Sequence, residues 1–342
     1  MLKKQVSVGE KIQKLEEAFR KYAQIKIHDA TIKNLPDSVG PDNFKPVMKL
    51  GQGSFGNVYL VEMLGVAFDP NEFQTGGLSE NKRPYYALKV LQKKQILGQN
   101  LTRYAKTERD VMTVARHPYI VGLKFAFQSK DKLFLVLDYA PGGTMGRALN
   151  RLRKFDEHVA KLYLGQILLA IADLHRQNII FRDLKPDNIV FDKEGNALLT
   201  DFGLAKTGIM NNNGTMSFCG SPAYLAPEIL KRQGHGKSVD WYLLGVLLYE
   251  MLCGMPPYYS TNKEVLYQNI KHGALKLPSS MSEEARDLIV QVRYHLTIAS
   301  ESQPHLTLGC WTHRCRRDQG PSLFEGFTVE EIGAEASINA KA

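Results

Sequence analysis

The sequence predicts an α+β chain built as two lobes, a small β-rich lobe followed by a larger helical one. Three observations carry this expectation. Short strand-like runs, PVMKL, NVYLVEM, PYYALKVL and DKLFLVLDYA, fall between residues 46 and 140. Past Pro141 the pattern turns helical: VAKLYLGQILLAIADLH is apolar at 159, 162, 163, 167, 170, 171 and 174, a helix face buried against something large. Strands first and helices second segregate the two kinds of element, as an α+β arrangement does. The 342 residues suit one large or two coupled domains, and a 44% apolar share with 23% charge excludes a disordered or collagen-like chain.

In chain order, residues 11–27 (KIQKLEEAFRKYAQIKI) set Ile12, Leu15, Phe19, Tyr22 and Ala23 on one stripe, an amphipathic helix packed on the next domain. The turn-forming linker NLPDSVGPDNF follows and sets a boundary, with an N-terminal extension at 1–43 and the main domain at 44–300. Within that domain the N-lobe is expected over 44–138 and the C-lobe over 139–300, with 301–342 as a separate tail. LTRYAKTERDVMTVAR reads as one helix among the strands. The long, turn-rich EMLGVAFDPNEFQTGGLSENKRP, between Leu60 and Tyr85, reads as an enlarged hairpin loop. Trp241 to Cys253 is the longest greasy stretch, too short to span a bilayer and interrupted by Glu250. The basic start MLKKQVSVGE leads into no apolar signal core, and Leu2 breaks the myristoylation pattern. Four cysteines in a chain of this length read as reduced thiols of an intracellular protein, with the cytoplasm as the expected compartment and the nucleus as the alternative. The +9 charge, from 44 basic and 35 acidic residues, permits phosphate, membrane or nucleic-acid contact without establishing any of them.

Five short motifs carry chemistry. Gly51-Gln52-Gly53-Ser54-Phe55-Gly56-Asn57-Val58 has glycines spaced to let backbone N–H groups approach phosphates. It leads from strand to strand, where a dinucleotide fold would need a helix, which favours a glycine-rich flap. Lys89, in Tyr86-Ala87-Leu88-Lys89, lies among apolar neighbours and needs a partner or a ligand phosphate, and Glu108 on the following helix is the natural partner. Ile180-Phe181-Arg182-Asp183-Leu184-Lys185-Pro186-Asp187-Asn188 is followed by Thr200-Asp201-Phe202-Gly203. Phosphoryl transfer needs hard oxygen ligands for a metal, a carboxylate near the incoming hydroxyl and cations along the phosphates, and Asp183, Lys185, Asn188 and Asp201 supply that set. Ala226-Pro227-Glu228 closes a polar, flexible segment.

Five motifs in this order resemble the eukaryotic protein kinases from about Phe44 to about Leu288, and Asp-Leu-Lys-Pro-Asp-Asn is similar to the serine/threonine branch. Ser217-Phe-Cys219-Gly-Ser221-Pro-Ala-Tyr-Leu-Ala-Pro-Glu228 resembles the activation segment of the AGC group. So do His117-Pro-Tyr-Ile-Val, Tyr139-Ala-Pro-Gly-Gly and the stretch from Val239 to Glu250. The latter, continued to Met255-Pro-Pro-Tyr-Tyr-Ser, is most similar to the protein kinase B, serum-regulated and ribosomal S-six kinases.

The resemblance implies a bilobal fold and a kinase using ATP and Mg2+. Gly51 to Val58 would cover the nucleotide, Ala87, Leu137 and Val190 would line the adenine, and Asp138 to Ala140 would form the hinge. Lys89, held by Glu108, would grip the inner phosphates. Asp201 and Asn188 would hold magnesium, Asp183 would accept or orient the substrate hydroxyl, and Lys185 would neutralise the transferring group. Asp240 would brace the Asp183 loop through backbone N–H bonds. Ser217 would be an activating phosphorylation site received by Arg182 and Lys206. Implied partners are Ser/Thr-bearing proteins with basic upstream residues and an upstream activating kinase, for a monomer that binds no nucleic acid.

Five departures stand out. Phe181 replaces the usual Tyr or His, Thr144 and Asp187 replace usual glutamates, and Tyr104 takes the place of a His that often adds a phosphate contact. The largest lies at the end: VRYHLTIASESQPHLTLGCWTHRCRRDQGPS, from Val292, matches nothing expected of the family, and the Arg that pairs with Glu228 cannot be assigned. An altered reading frame or splice form is the expected cause, with the C-lobe incomplete. His305, Cys310, His313 and Cys315 there are zinc-compatible in type but fit no standard ligand spacing. Phe324-Glu-Gly-Phe327-Thr328-Val, within 324–329, resembles the hydrophobic motif with which AGC kinases clamp their small lobe, Thr328 being its phosphorylation position. The leading expectation is an active kinase, and the alternative is a catalytically impaired kinase-like scaffold.

Overall fold

A computed structural model of the chain describes residues 32–33, 39–53, 56–65, 67–68, 83–98, 102–211 and 214–299. The expected helix at 11–27, the zinc-compatible cluster and the 324–329 motif lie outside the described residues. The chain divides into two compact units, with the changeover between Gly142 and Gly143, and with His117–Tyr119 belonging to the second unit.

The first unit is built on a five-stranded antiparallel sheet. Its strands are β2 (Phe44–Gly53), β3 (Gly56–Met63), β5 (Tyr85–Gln92), β7 (Lys132–Asp138) and β6 (Leu123–Gln128), in that spatial order. Between β3 and β5 a short strand β4 (Ala67–Phe68) pairs with β1 (Ile32–Lys33). Strand β6 was not among the expected runs, yet Leu123, Phe125 and Phe127 alternate with Lys124, Ala126 and Gln128 as a half-buried strand should. Alternation along the strands sends Phe44, Val61, Met63, Tyr86, Leu88, Phe125, Phe127, Phe134 and Val136 into one apolar cluster. Aromatic rings knit it together, Phe44 stacking on Phe127 with centroids 5.8 Å apart and Phe127 on Phe134 at 5.1 Å. The described part of the unit also holds the α-helices α1 (Lys93–Gly98) and α2 (Thr102–Val114), the latter burying Ala105, Val111 and Met112.

The second unit is helical. It runs α3 (Met145–Leu152), α4 (Glu157–Arg176), α5 (Pro227–Leu230), α6 (Ser238–Cys253), α7 (Lys263–His272) and α8 (Glu283–Ala299). Of the α4 stripe read from sequence, Leu162, Ile167, Ala170, Ile171 and Leu174 are all at 3% exposure or less, while Val159 and Tyr163 are half-buried. Helix α6 is buried nearly all round, from Val239 to Met251, so it forms the centre of the unit rather than a surface helix. It stops at Gly254, which has φ 81° and whose N–H bonds Glu250 O at 2.7 Å. A Cβ there would come within 2.3 Å of Arg153 O, so the glycine is required by close approach as well as by its dihedral. The backbone of α8 continues helical from the family-like segment through to Ala299. Among the described residues no helix is long and apolar enough to cross a membrane.

Candidate active site

In the first unit, register alone gathers several of the candidate residues. Val58 pairs with Lys89 and Lys89 with Leu135, while Leu60 pairs with Ala87 and Ala87 with Leu137. Directly paired residues project from the same face, so Val58, Ala87, Lys89 and Leu137 share the face opposite the aromatic cluster. Helix α2 brings Glu108 to that face, and Lys89 Nζ donates to Glu108 Oε1 at 2.5 Å with both side chains buried. The sequence named Glu108 because a lysine there would otherwise be an uncompensated buried charge, and the ion pair removes that cost.

The glycines differ from one another. Gly51 pairs across the hairpin with Val58, and a Cβ on it would meet nothing within 4 Å. A Cβ on Gly56 would come within 2.0 Å of Val90 O, so β3 and β5 themselves demand glycine there. Gln52 pairs with Asn57, both on the hairpin, while Ser54 and Phe55 at its tip lie outside the described residues. Asp138 ends β7, with its N–H bonded to Gly122 O at 3.0 Å and its carboxylate 3.4 Å from Lys124 Nζ. Ala140 follows, half-buried.

In the second unit the loop 180–188 holds the densest set of polar contacts. Asp183 Oδ2 accepts from Lys185 Nζ at 2.9 Å and from Asn188 Nδ2 at 2.8 Å. Asn188 Nδ2 also reaches Asp183 O at 2.8 Å. Ser221 Oγ donates to Asp183 Oδ1 at 3.2 Å and accepts from Lys185 Nζ at 2.8 Å. The sequence did not single out Ser221 for this, because thirty-odd residues separate it from the loop and nothing local marks the contact. Strands β8 (Ile189–Phe191) and β9 (Ala197–Leu199) form a hairpin that sets Asn188 and Asp201 just beyond its two ends. Gln166 of α4 pins the turn of that hairpin, accepting from Ala197 N at 2.8 Å and donating to Asn196 Oδ1 at 2.9 Å. Val190 lies in β8, half-buried and bridged to Thr144, which caps α3 by accepting from Arg147 N at 3.2 Å.

What holds the loop is Asp240. Fully buried in α6, it accepts from Phe181 N at 2.8 Å and Arg182 N at 2.7 Å, as expected, and also from His175 Nε2 at 2.7 Å. Arg182 has φ 69° and Asp201 φ 64°, left-handed conformations that non-glycine residues hold only when their surroundings enforce them. The Arg182 side chain bonds Leu204 O at 2.8 Å, Ala205 O at 3.4 Å and Ser217 Oγ at 2.5 Å. Lys206 is tied to the loop by two backbone bonds with Ile180, each 2.9 Å. Arg182 and Ser217 thus meet directly.

Glu228, whose partner could not be named from sequence, has Oε1 buried without a hydrogen-bond partner. Burial pushes its pKa up to about 7, against smaller opposing pulls from its own backbone N–H and then from Lys231. Tyr224 bonds Glu250, and burial raises both pKa values.

A magnesium ion fits the donors of the second unit. The Asn188 amide spends its N–H groups on Asp183, which leaves its carbonyl oxygen as the group offered to a cation. With the Asp201 carboxylate this makes a hard, all-oxygen donor set of the kind magnesium takes.

The profile of the protein kinase domain matches residues 75–295. The glycine hairpin falls ahead of that span, set off from it by the long insertion before β5. The chain is 44% identical over 252 residues to Protein kinase 2 of Dictyostelium discoideum, which covers 74% of the chain and 49% of that relative. It is 40% identical over 257 residues to Protein kinase 3 of the same organism, covering 72% and 26%. It is 42% identical over 250 residues to the human serine/threonine-protein kinase Sgk1, covering 73% and 54%. The alignments therefore span about half, or less, of these relatives' own lengths.

Proposed function

Because the chain belongs to the protein kinase domain family, we propose that it transfers the γ-phosphoryl group of ATP to serine or threonine hydroxyls of protein substrates. The observation that supports this most is the hydrogen-bonded set of Asp183, Lys185, Asn188 and Ser221, a carboxylate and a cation fixed around one hydroxyl. Ser221 Oγ lies where both groups converge on an alcohol oxygen, the arrangement an incoming hydroxyl would need. The P–O bond to the nucleotide breaks as the new bond to the alcohol forms, and Asp183 orients that alcohol and takes its proton. Lys185 stabilises charge on the group in transit.

Lys89, oriented by Glu108, grips the inner phosphates, and Gly51 to Val58 cover them. Ala87, Leu137 and Val190 offer apolar surface to the adenine, with the backbone from Asp138 to Ala140 as its polar edge. Magnesium, held by Asn188 and Asp201, would supply charge neutralisation on the phosphates. Ser217 is the regulatory phosphorylation site, facing Arg182, and an upstream protein kinase acts on it. The same reading makes Thr328 a second such site and gives the protein an intracellular setting.

Peptide phosphorylation with and without magnesium tests the proposal. Asp183→Asn should lower turnover by roughly 10²–10⁴-fold with an unchanged circular-dichroism melt. Turnover near that of the unaltered protein would overturn the assignment.

A further inference from the structure

His235 is a buried side chain bridged to the Ser217 segment, and nothing above uses it. It is 1% exposed, and its Nε2 has no hydrogen-bond partner. Its backbone exchanges bonds in both directions with Thr215, N–H to O at 3.1 and 2.9 Å, as an isolated antiparallel bridge. Residues paired in that way project from the same side, so the ring lies on the side of the Thr215 hydroxyl. Thr215 Oγ1 in turn lies 3.0 Å from Ser217 Oγ, which Arg182 Nη1 already touches at 2.5 Å.

The surroundings of the ring are cationic. Burial pushes the His235 pKa down to about 4, the charges of Arg182 and then Lys206 push it the same way, and Asp240 in α6 opposes them. Lys237, on the same segment, is engaged with Asn178 Oδ1 at 2.9 Å. A neutral imidazole with an unspent ring nitrogen, set beside two cations and a hydroxyl pair, is a site short of an anion. Ser217 is the less buried of the two hydroxyl residues and can carry one.

We infer that His235 is a proton-gated contact for a phosphoryl group on Ser217. Once an ATP-using protein kinase has placed that group, the ring takes a proton from water and donates Nε2–H to a phosphate oxygen. A dianion beside the imidazole favours its charged form, and a charge-assisted bond reinforces it. The inference rests on Ser217 being the regulatory phosphorylation site. It adds that the phosphate is held more firmly as pH falls, for as long as the phosphate stays dianionic.

The test compares the full chain with serine and with phosphoserine at 217, following the ring-proton NMR signal of His235 across pH. The midpoint should rise by about two units on phosphorylation, which needs no substituted protein. A midpoint that does not move overturns the inference. In the phosphorylated chain, the phosphorus signal should titrate at a higher pH in His235→Gln than with His235 present, and coincident curves count equally against it. Peptide turnover with and without the phosphate, at one fixed pH, separates the two claims. If turnover rises while the His235 midpoint stays put, this inference fails and the Ser217 reading stands. If the midpoint moves while turnover does not, the phosphate contact stands and the activating role of Ser217 is lost.

Discussion

Glu228 carries a carboxyl oxygen sealed from water with nothing to bond. With burial raising its pKa from 4.5 to about 7, the folded chain holds a proton that the unfolded chain releases across that interval. The folded state binds more protons there, so stability falls as pH rises from about 4.5 to about 7 and stays lowered above it. The loss is on the order of 3 kcal/mol. Glu228→Gln should remove this slope and leave the protein more stable than the parent at pH 8, read from urea midpoints at a series of pH values. A parallel slope in both proteins would show that Glu228 does not titrate as described. At this scale the sequence showed which charges needed partners. It named Lys89 with Glu108, and it could assign no arginine to Glu228. It could not show Ser221 or His235, because each acts through a contact made by a distant stretch of chain. Their neighbours in sequence give no periodicity or spacing that marks them.

The strands explain why two glycines of one motif have different duties. Gly56 sits where β3 passes the backbone of Val90, and Gly51 faces open space. Gly56→Ala should therefore cost about 1–3 kcal/mol through overpacking, measured by chemical denaturation. Gly51→Ala should stay within about 0.5 kcal/mol, so that any fall in its turnover reports on the nucleotide and not on folding. Equal destabilisation by the two would contradict the geometry. The spacing of the motif showed a flap between strands but could not divide these roles, since both glycines look alike until the register is known. Most elements were readable because burial marks the sequence: the α4 stripe leaves a helical period, and β7, buried on both faces from Leu133 to Leu137, leaves a short continuous apolar run. Strand β6 was passed over although Leu123, Phe125 and Phe127 alternate with Lys124, Ala126 and Gln128. Helix α6 shows no periodic stripe, and its nearly complete burial explains why.

For the molecule as a whole, the α+β organisation follows from strands preceding helices, and the chain passes from one compact unit to the other after Gly142. Nucleotide binding should stabilise the folded chain: magnesium and ATP at 100 times the dissociation constant add about 2.7 kcal/mol. A thermal-shift titration should show the gain in the parent and a smaller one in Lys89→Met and Asp201→Ala at equal ligand. A full gain in both variants would argue that these residues do not hold the nucleotide. The Asp240 brace carries a further consequence. Its acceptors sit inside the most deeply buried helix, so the amide hydrogens of Phe181 and Arg182 can meet solvent only when α6 itself comes apart. These two should be among the slowest amides of the second unit to take up deuterium, in step with the centre of α6 although they belong to an irregular loop. Asp240→Ala should release them ahead of α6. The loop that presents Asp183 then has no loosened state of its own, and the chain either keeps that loop in place or loses the helix beneath it.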